Sequence, residues 1–322
     1  MRILITGASG LLGLNLALEA ARIRQPGGGV DGKGIHRVTG VVHCHPLRTE
    51  EFEVIKADLL QPGRVERLFD EVQPDWVINC AALALVDACE ADPDLANRLN
   101  VELPEKLALN VARSGARVVH LSTDAVFDGQ KGDYSEKDIP NPLSTYARTK
   151  LAGEQAVATA NPEAIIARVN FFGWSLSGQR SLAEWFFYNL QAGQPMKGFT
   201  DVFFCPLLVN DLAQILLHML EGGLKGLYHV VSRNCLSKYD FGVSLARRFS
   251  FDEHLITPAS VSDGNLLAVR SPNLTLSSAR LAQDLGQSLP EVSTGLDRFY
   301  TLYQQGYPHF IKGMAHSANA MR

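Results

Sequence analysis

Cysteine is scarce and irregular. Cys44, Cys80, Cys89, Cys205 and Cys235 are odd in number and scattered over 322 residues. No pair has metal-ligand spacing and no metal is predicted, and a disulfide framework is not expected. Charge of one sign is lacking too. The net charge is -4 with no long basic run, which argues against a nucleic-acid partner. No apolar run approaches the ~18 residues that would cross a bilayer. The chain opens directly on "MRILITG", which has no charged leader. These absences predict a cytoplasmic protein with neither signal peptide nor membrane partner.

What is present is ordinary in amount and ordered in pattern. Hydrophobic residues make up 46% and charged residues 20%, and the length suits one large α/β domain or two intimate ones. Short runs rich in β-branched residues read as buried strands: "RILIT" (2–6), "RVTGVVH" (37–43), "FEVIKA" (52–57), "DWVINCA" (75–81) and "ARVVHLS" (116–122), with "EAIIARV" (163–169) and "GLYHVV" (226–231) further on. Between the first of these lie stretches of helical periodicity. The alternation predicts an α/β fold with a doubly wound parallel sheet of Rossmann type. It fades after about residue 169. The dinucleotide-binding domain is therefore expected to comprise 1–169 plus about 209–231. A smaller, interleaved substrate lobe is expected from about 170–208 and 232–311. The glycine-rich stretch 24–36 reads as a flexible surface loop, and 312–322, without periodicity, as a disordered tail.

The stretch "ITGASGLLGLNLA" sets Gly7, Gly10 and Gly13 between a strand and a helix. Glycines there permit a tight turn and close approach to a pyrophosphate, which the helix N-terminus then faces with free N–H groups. Ser9, Leu11 and Leu12 lie within the same turn and complete the candidate phosphate cradle. The second strand would end in an acid if it met a free ribose 2′-hydroxyl. It ends instead in "VVHCHPLR", with His43, His45 and Arg48. Basic groups suit a 2′-phosphate, so NADP(H) is favoured and NAD(H) stays open. A solvated basic loop would look the same. Asp58, followed by Leu59, ends the third strand, where it would accept a hydrogen bond from an adenine amino group or simply make a turn.

The stretch "STYARTK" puts Tyr146 four residues before Lys150, one helical turn apart on one face. A fixed positive charge favours a phenolate and would lower the tyrosine's pKa toward the range useful for proton transfer. Alone, the pair is equally an ordinary helix start.

The glycine turn, "NCAA" (79–82), "NV" (100–101), "STD" (122–124) and Tyr146-x-x-x-Lys150 occur together in that order. The constellation resembles the extended short-chain dehydrogenase/reductase family. "STDAVFDGQKGDYSEKDIPNPLSTYARTKLAGEQAV" is similar to its dTDP-4-dehydrorhamnose reductase branch, which also includes regulatory β subunits of methionine adenosyltransferase. The resemblance runs from residue 1 to about 300. It implies NAD(P)H-dependent reduction of a nucleotide-activated 4-keto-6-deoxy sugar. Tyr146 would be the proton donor, and Lys150 would hold the nicotinamide ribose and lower the tyrosine's pKa. Thr123 would bond the reacting oxygen, with Asp124, Asn170 and Arg270 as substrate groups. Ala81 and Ala82 would floor the cofactor site, beside Ser122 and Asn100. Besides the nucleotide-sugar substrate, a homodimer is the partner the reading allows.

Departures bear on the substrate. Leu83 and Leu85 stand where the reductases carry a more polar or aromatic pair, and Phe204 and Leu207 replace small and hydroxyl residues, so a more apolar pocket is expected. Asn15 occupies the place of a metal-binding glutamate. Ala125 follows "STD" where dehydratases of the superfamily carry glutamate, which disfavours dehydration. An epimerase or a non-catalytic, cofactor-binding regulatory subunit remain the alternatives.

Overall fold

The computed structural model describes residues 1–22, 36–263 and 271–315. The glycine-rich stretch 24–35 and Arg270 lie outside the described residues. Seven strands form one parallel sheet: β1 (Arg2–Thr6), β2 (Arg37–Val42), β3 (Glu53–Lys56), β4 (Trp76–Asn79), β5 (Arg117–Thr123), β6 (Ile165–Val169) and, last in the chain, Gly226–Val230. The order across the sheet runs from Gly226–Val230 through β6, β5, β4, β1 and β2 to β3. Every pairing in it is parallel.

The strands read as unbroken apolar runs because both faces of the sheet are covered. Successive side chains point to opposite faces. Ile3 and Ile5 enter one core and Leu4 the other; Val119 and Leu121 enter the first, Val118 the second. Helices α1 (Leu11–Arg22) and Val209–Glu221 cover the first face. The second is covered by α2 (Arg64–Val72), α5 (Leu103–Ser114) and α6 (Thr145–Ala160). Helices α3 (Val86–Ala91) and α4 (Pro93–Asn97) lie between β4 and α5 and join a π-helical turn, Arg98–Glu102.

After β6 the chain makes short pairings. Phe171–Phe172 runs beside Leu207–Leu208, Met196–Phe199 beside Ile256–Ala259, and Phe203–Phe204 antiparallel to Leu236–Ser237. Helices Leu182–Gln191, Lys238–Arg248 and Val292–Gln304 pack around them. Trp174 stacks on Phe299 with centroids 3.9 Å apart, and Phe172 meets Phe241 edge-on at 5.1 Å. Asn15, fully buried on α1, ties this region to the sheet. Its amide donates to the carbonyls of Leu11 (2.7 Å) and Trp174 (3.0 Å) and accepts from the Tyr307 hydroxyl (2.8 Å).

Two expectations are corrected. Cys205 and Cys235 form a disulfide, with Cα atoms 4.1 Å apart. The antiparallel register pairs Phe204 with Leu236, so the next residue on one strand faces the previous one on the other. Spacing along the chain cannot reveal that. The tail is also ordered further than expected, through Ala315. Tyr307–Gly313 is helical, Met314 is buried, Arg48 N–H donates to the Met314 carbonyl at 2.9 Å, and Ala315 bridges to Leu47. Buried Ile311 and Met314 supply the apolar surface that holds it. Residues 316–322 lie outside the described residues.

Candidate active site

The C-terminal ends of the parallel strands share one edge, where ligands of such sheets bind. Gly7 follows β1 with φ +66°, a conformation that L side chains rarely adopt. A Cβ there would stand 2.8 Å from Ala81 N, so the turn approaches the start of the β4–α3 loop as closely as backbone allows. Gly10 N–H donates to the Gly7 carbonyl at 2.9 Å, and α1 begins at the next residue. Leu12, and Leu59 beyond β3, turn their side chains into the core, which leaves only their backbone at this edge. Ser9, Leu11 and Ala81 are half-buried and Ala82 is exposed.

Beyond β2, His43, His45 and Arg48 are exposed. Asp58 Oδ1 accepts from Leu60 N–H at 3.0 Å, which makes the turn one of its roles. Asn100, on the π-helical turn, has its amide fully engaged. Oδ1 accepts from Leu83 N–H at 2.9 Å, and Nδ2 donates to the Leu83 carbonyl (3.1 Å) and the Thr149 hydroxyl (3.0 Å). It braces the loop after β4 against α6 and leaves no donor for a ligand.

Tyr146 stands in the first turn of α6. Ser144 caps that helix, accepting from Ala147 N–H at 3.2 Å. Glu90 on α3 adds a second anchor, accepting from Thr145 N–H at 2.7 Å and from its hydroxyl at 2.6 Å. Thr123, the last residue of β5, lies beside the Tyr146 phenol. Its hydroxyl donates to Asp124 Oδ1 at 3.1 Å, and Asn170 Nδ2 donates to Asp124 Oδ2 at 2.5 Å. Burial raises the Asp124 carboxyl, opposed by those bonds and by the nearby Lys238 ammonium. Thr123, Asp124, Tyr146 and Asn170 are thus one contiguous cluster. Lys238 brings the first residue of Lys238–Arg248 beside it.

Lys150 is nearly fully buried and donates from Nζ to the Leu121 carbonyl at 2.6 Å. Burial lowers its pKa from 10.5 to about 8, opposed by Glu154. Desolvation of the phenol pushes Tyr146 up to about 12, with the neighbouring Thr123 opposing and Asp124 adding to the rise. The expected lowering of Tyr146 by Lys150 is therefore corrected for the free protein: desolvation raises the phenol, and Tyr146 stays neutral. Ser122, expected beside the cofactor, points its hydroxyl to Glu154 Oε1 at 2.5 Å.

Phe204 and Leu207, expected to make the pocket apolar, lie in the core instead. Phe204 packs on Phe241 at 5.5 Å, and Leu207 pairs with Phe171. Leu85 is 63% exposed on the loop before α3, and Leu83 is half-buried. Glu90, Glu154 and Arg168 carry no local motif; they become visible only when helix and strand meet.

The fold and site together define an NAD(P)-dependent oxidoreductase of the extended short-chain dehydrogenase/reductase type. The model of the RmlD substrate binding domain family matches residues 1–305, and the chain belongs to that family. It is 33% identical over 296 residues to a probable low-salt glycan biosynthesis reductase of Haloferax volcanii, covering 91% of this chain and 95% of that protein. It is 31% identical over 300 residues to methionine adenosyltransferase 2 subunit beta of Bos taurus, covering 90% and 84%. A solved dTDP-4-dehydrorhamnose reductase from Clostridium acetobutylicum superposes with TM-score 0.78 at 30% identity, covering 94% of this chain and all of that one. No helix among the described residues is long and apolar enough to cross a membrane.

Proposed function

We propose that the chain reduces the 4-keto group of a nucleotide-activated 6-deoxy sugar, with NADP(H) preferred over NAD(H). The observation that carries this reading is the neutral phenol of Tyr146, half-buried beside Thr123 and Asp124 and one helical turn from the buried Lys150. A proton donor to a carbonyl must hold its proton until the reaction, and a phenol pushed up to about 12 does so across the physiological range. The names of the glycan biosynthesis and dTDP-4-dehydrorhamnose reductases support the substrate class.

The residues present fit a dinucleotide. Gly7 and Gly13, by lacking Cβ atoms, let the turn pack tightly against the β4–α3 loop and α1, which shapes a backbone cradle at the N-terminus of α1. That cradle would hold the pyrophosphate, His43 and Arg48 a 2′-phosphate, and Lys150 the nicotinamide ribose. Bound there, nicotinamide supplies a hydride to carbon. This chain's residues do the rest. Thr123 orients the carbonyl oxygen. Tyr146 gives that oxygen its proton, turning C=O into CH–OH and leaving a phenolate. The Lys150 cation, on the same helix face, stabilises that phenolate. Asp124, braced by Asn170, accepts from a sugar hydroxyl.

The experiment is turnover of dTDP-4-dehydrorhamnose and of related 4-keto sugar nucleotides with NADPH and NADH, with the product identified by mass. Oxidation of NADPH coupled to gain of two hydrogens by the sugar is the expected result. No turnover of any 4-keto sugar nucleotide, with the protein folded and NADPH bound, would overturn the reading.

A further inference from the structure

Helix α6 carries Tyr146, Lys150 and Glu154 at successive i, i+4 positions on one face. The proposed chemistry uses the first two and leaves the third unexplained. A carboxylate 5% exposed is costly to bury unless it is paired and hydrogen-bonded. Glu154 is clamped from two strands. Arg168 on β6 donates to it twice, from Nε at 2.9 Å and Nη2 at 2.8 Å, and Ser122 on β5 donates at 2.5 Å. The guanidinium lies over the Phe127 ring, 5.1 Å from its centroid, and beside His229 Nε2 at 3.4 Å. A buried ion pair of this kind is weak evidence for stability, because well-packed apolar residues often serve as well. Its position suggests another use.

The titratable groups that act on Lys150 are Glu154 on its own helix, Cys80 after β4, Cys89 on α3 and His120 on β5, with Glu154 itself paired to the Arg168 cation on β6. Burial raises Cys80 to about 12, raises Cys89, and lowers His120 well below its ordinary value. All three are neutral near pH 7, and the Leu121 carbonyl that Nζ bonds carries no net charge. Glu154 is the anion of the set.

We infer that Glu154 is a positioning residue for the Tyr146–Lys150 pair: fixed by Arg168 and Ser122, its carboxylate supplies the counter-charge that keeps Lys150 a cation in its buried seat. Glu154 acts through Lys150 and does not touch substrate. Its effect on turnover rests on the proposed role of that pair, whereas the charge coupling itself is measurable without turnover.

The test uses the full chain labelled with [ε-¹³C]lysine, the Lys150 resonance being assigned by its loss in Lys150→Met. In Glu154→Gln the ammonium keeps its desolvation and loses its anion, so its titration midpoint falls by about one pH unit or more. The alkaline limb of kcat/KM with dTDP-4-dehydrorhamnose and NADPH moves down with it, and Glu154→Asp restores part of both. If E154Q does not fold because Arg168 is left unpaired, E154Q/R168Q takes its place; a fall in the same direction is expected, smaller because a repelling cation leaves with the anion. A Lys150 midpoint unchanged in the folded variant overturns the inference, whatever the turnover. A midpoint that falls in a protein without turnover upholds the coupling and removes the functional reading alone.

Discussion

Gly13 sits so tightly on Gly7 that a Cβ on Gly13 would overlap the Gly7 carbonyl oxygen, whereas one on Gly10 would stand 3.1 Å from that oxygen. The two positions therefore predict different outcomes. Gly13→Ala must push the glycine turn off α1, at a cost of ~1–3 kcal/mol or more, and should lose NADPH binding. Gly10→Ala needs only a few tenths of an ångström of relief and should cost about 1 kcal/mol or less. Thermal melts and NADPH titrations of both variants check this. A Gly13→Ala protein that melts and binds like wild type would contradict it.

Lys150 predicts a conflict between stability and function. Its pKa falls from 10.5 to about 8 on folding because its charge is buried. The unfolded chain then binds more protons between those two values, so wild-type stability should rise with pH across that window. Below it the charge costs roughly 3 kcal/mol. Lys150→Met removes the cost but leaves the Leu121 carbonyl without its Nζ donor. The net result should be a gain of about 1–2 kcal/mol at pH 7, with no rise above pH 8 and weaker cofactor binding. Urea unfolding at pH 7 and pH 9.5, with and without NADPH, measures all three.

The proposed cofactor preference turns on the exposed basic groups after β2. Arg48 is anchored through its backbone to Met314, so Arg48→Ala should leave the chain path intact. It should weaken NADPH about tenfold, the worth of one hydrogen bond to a charged group, and leave NADH unchanged. Isothermal titration with both cofactors distinguishes this from a merely solvated loop, for which neither affinity would move.

The sequence revealed those parts of the fold that local chemistry dictates. Ile3, Leu4 and Ile5 sit between two cores, which is why their strand reads as unbroken apolar residues. The glycine turn and the Tyr146–Lys150 face are likewise set by short-range geometry. What stayed hidden depends on pairing between distant segments. Cys205 meets Cys235 only through the register of Phe204 with Leu236. Glu90 reaches Thr145, and Ser122 and Arg168 reach Glu154, across separate elements. Phe204 and Leu207 look like pocket residues in sequence because an apolar side chain near a site carries no sign of which way it faces.

The central claim is that Tyr146 delivers a proton to a sugar carbonyl. Tyr146→Phe deletes one hydroxyl and keeps the ring, so the fold and NADPH affinity should be unchanged. The Thr123 hydroxyl keeps its bond to Asp124. The decisive measurement is kcat for dTDP-4-dehydrorhamnose at saturating NADPH, wild type against Tyr146→Phe. The account predicts a loss of ~10²–10⁴-fold or more, the range of general acid catalysis. Full activity in Tyr146→Phe would contradict it.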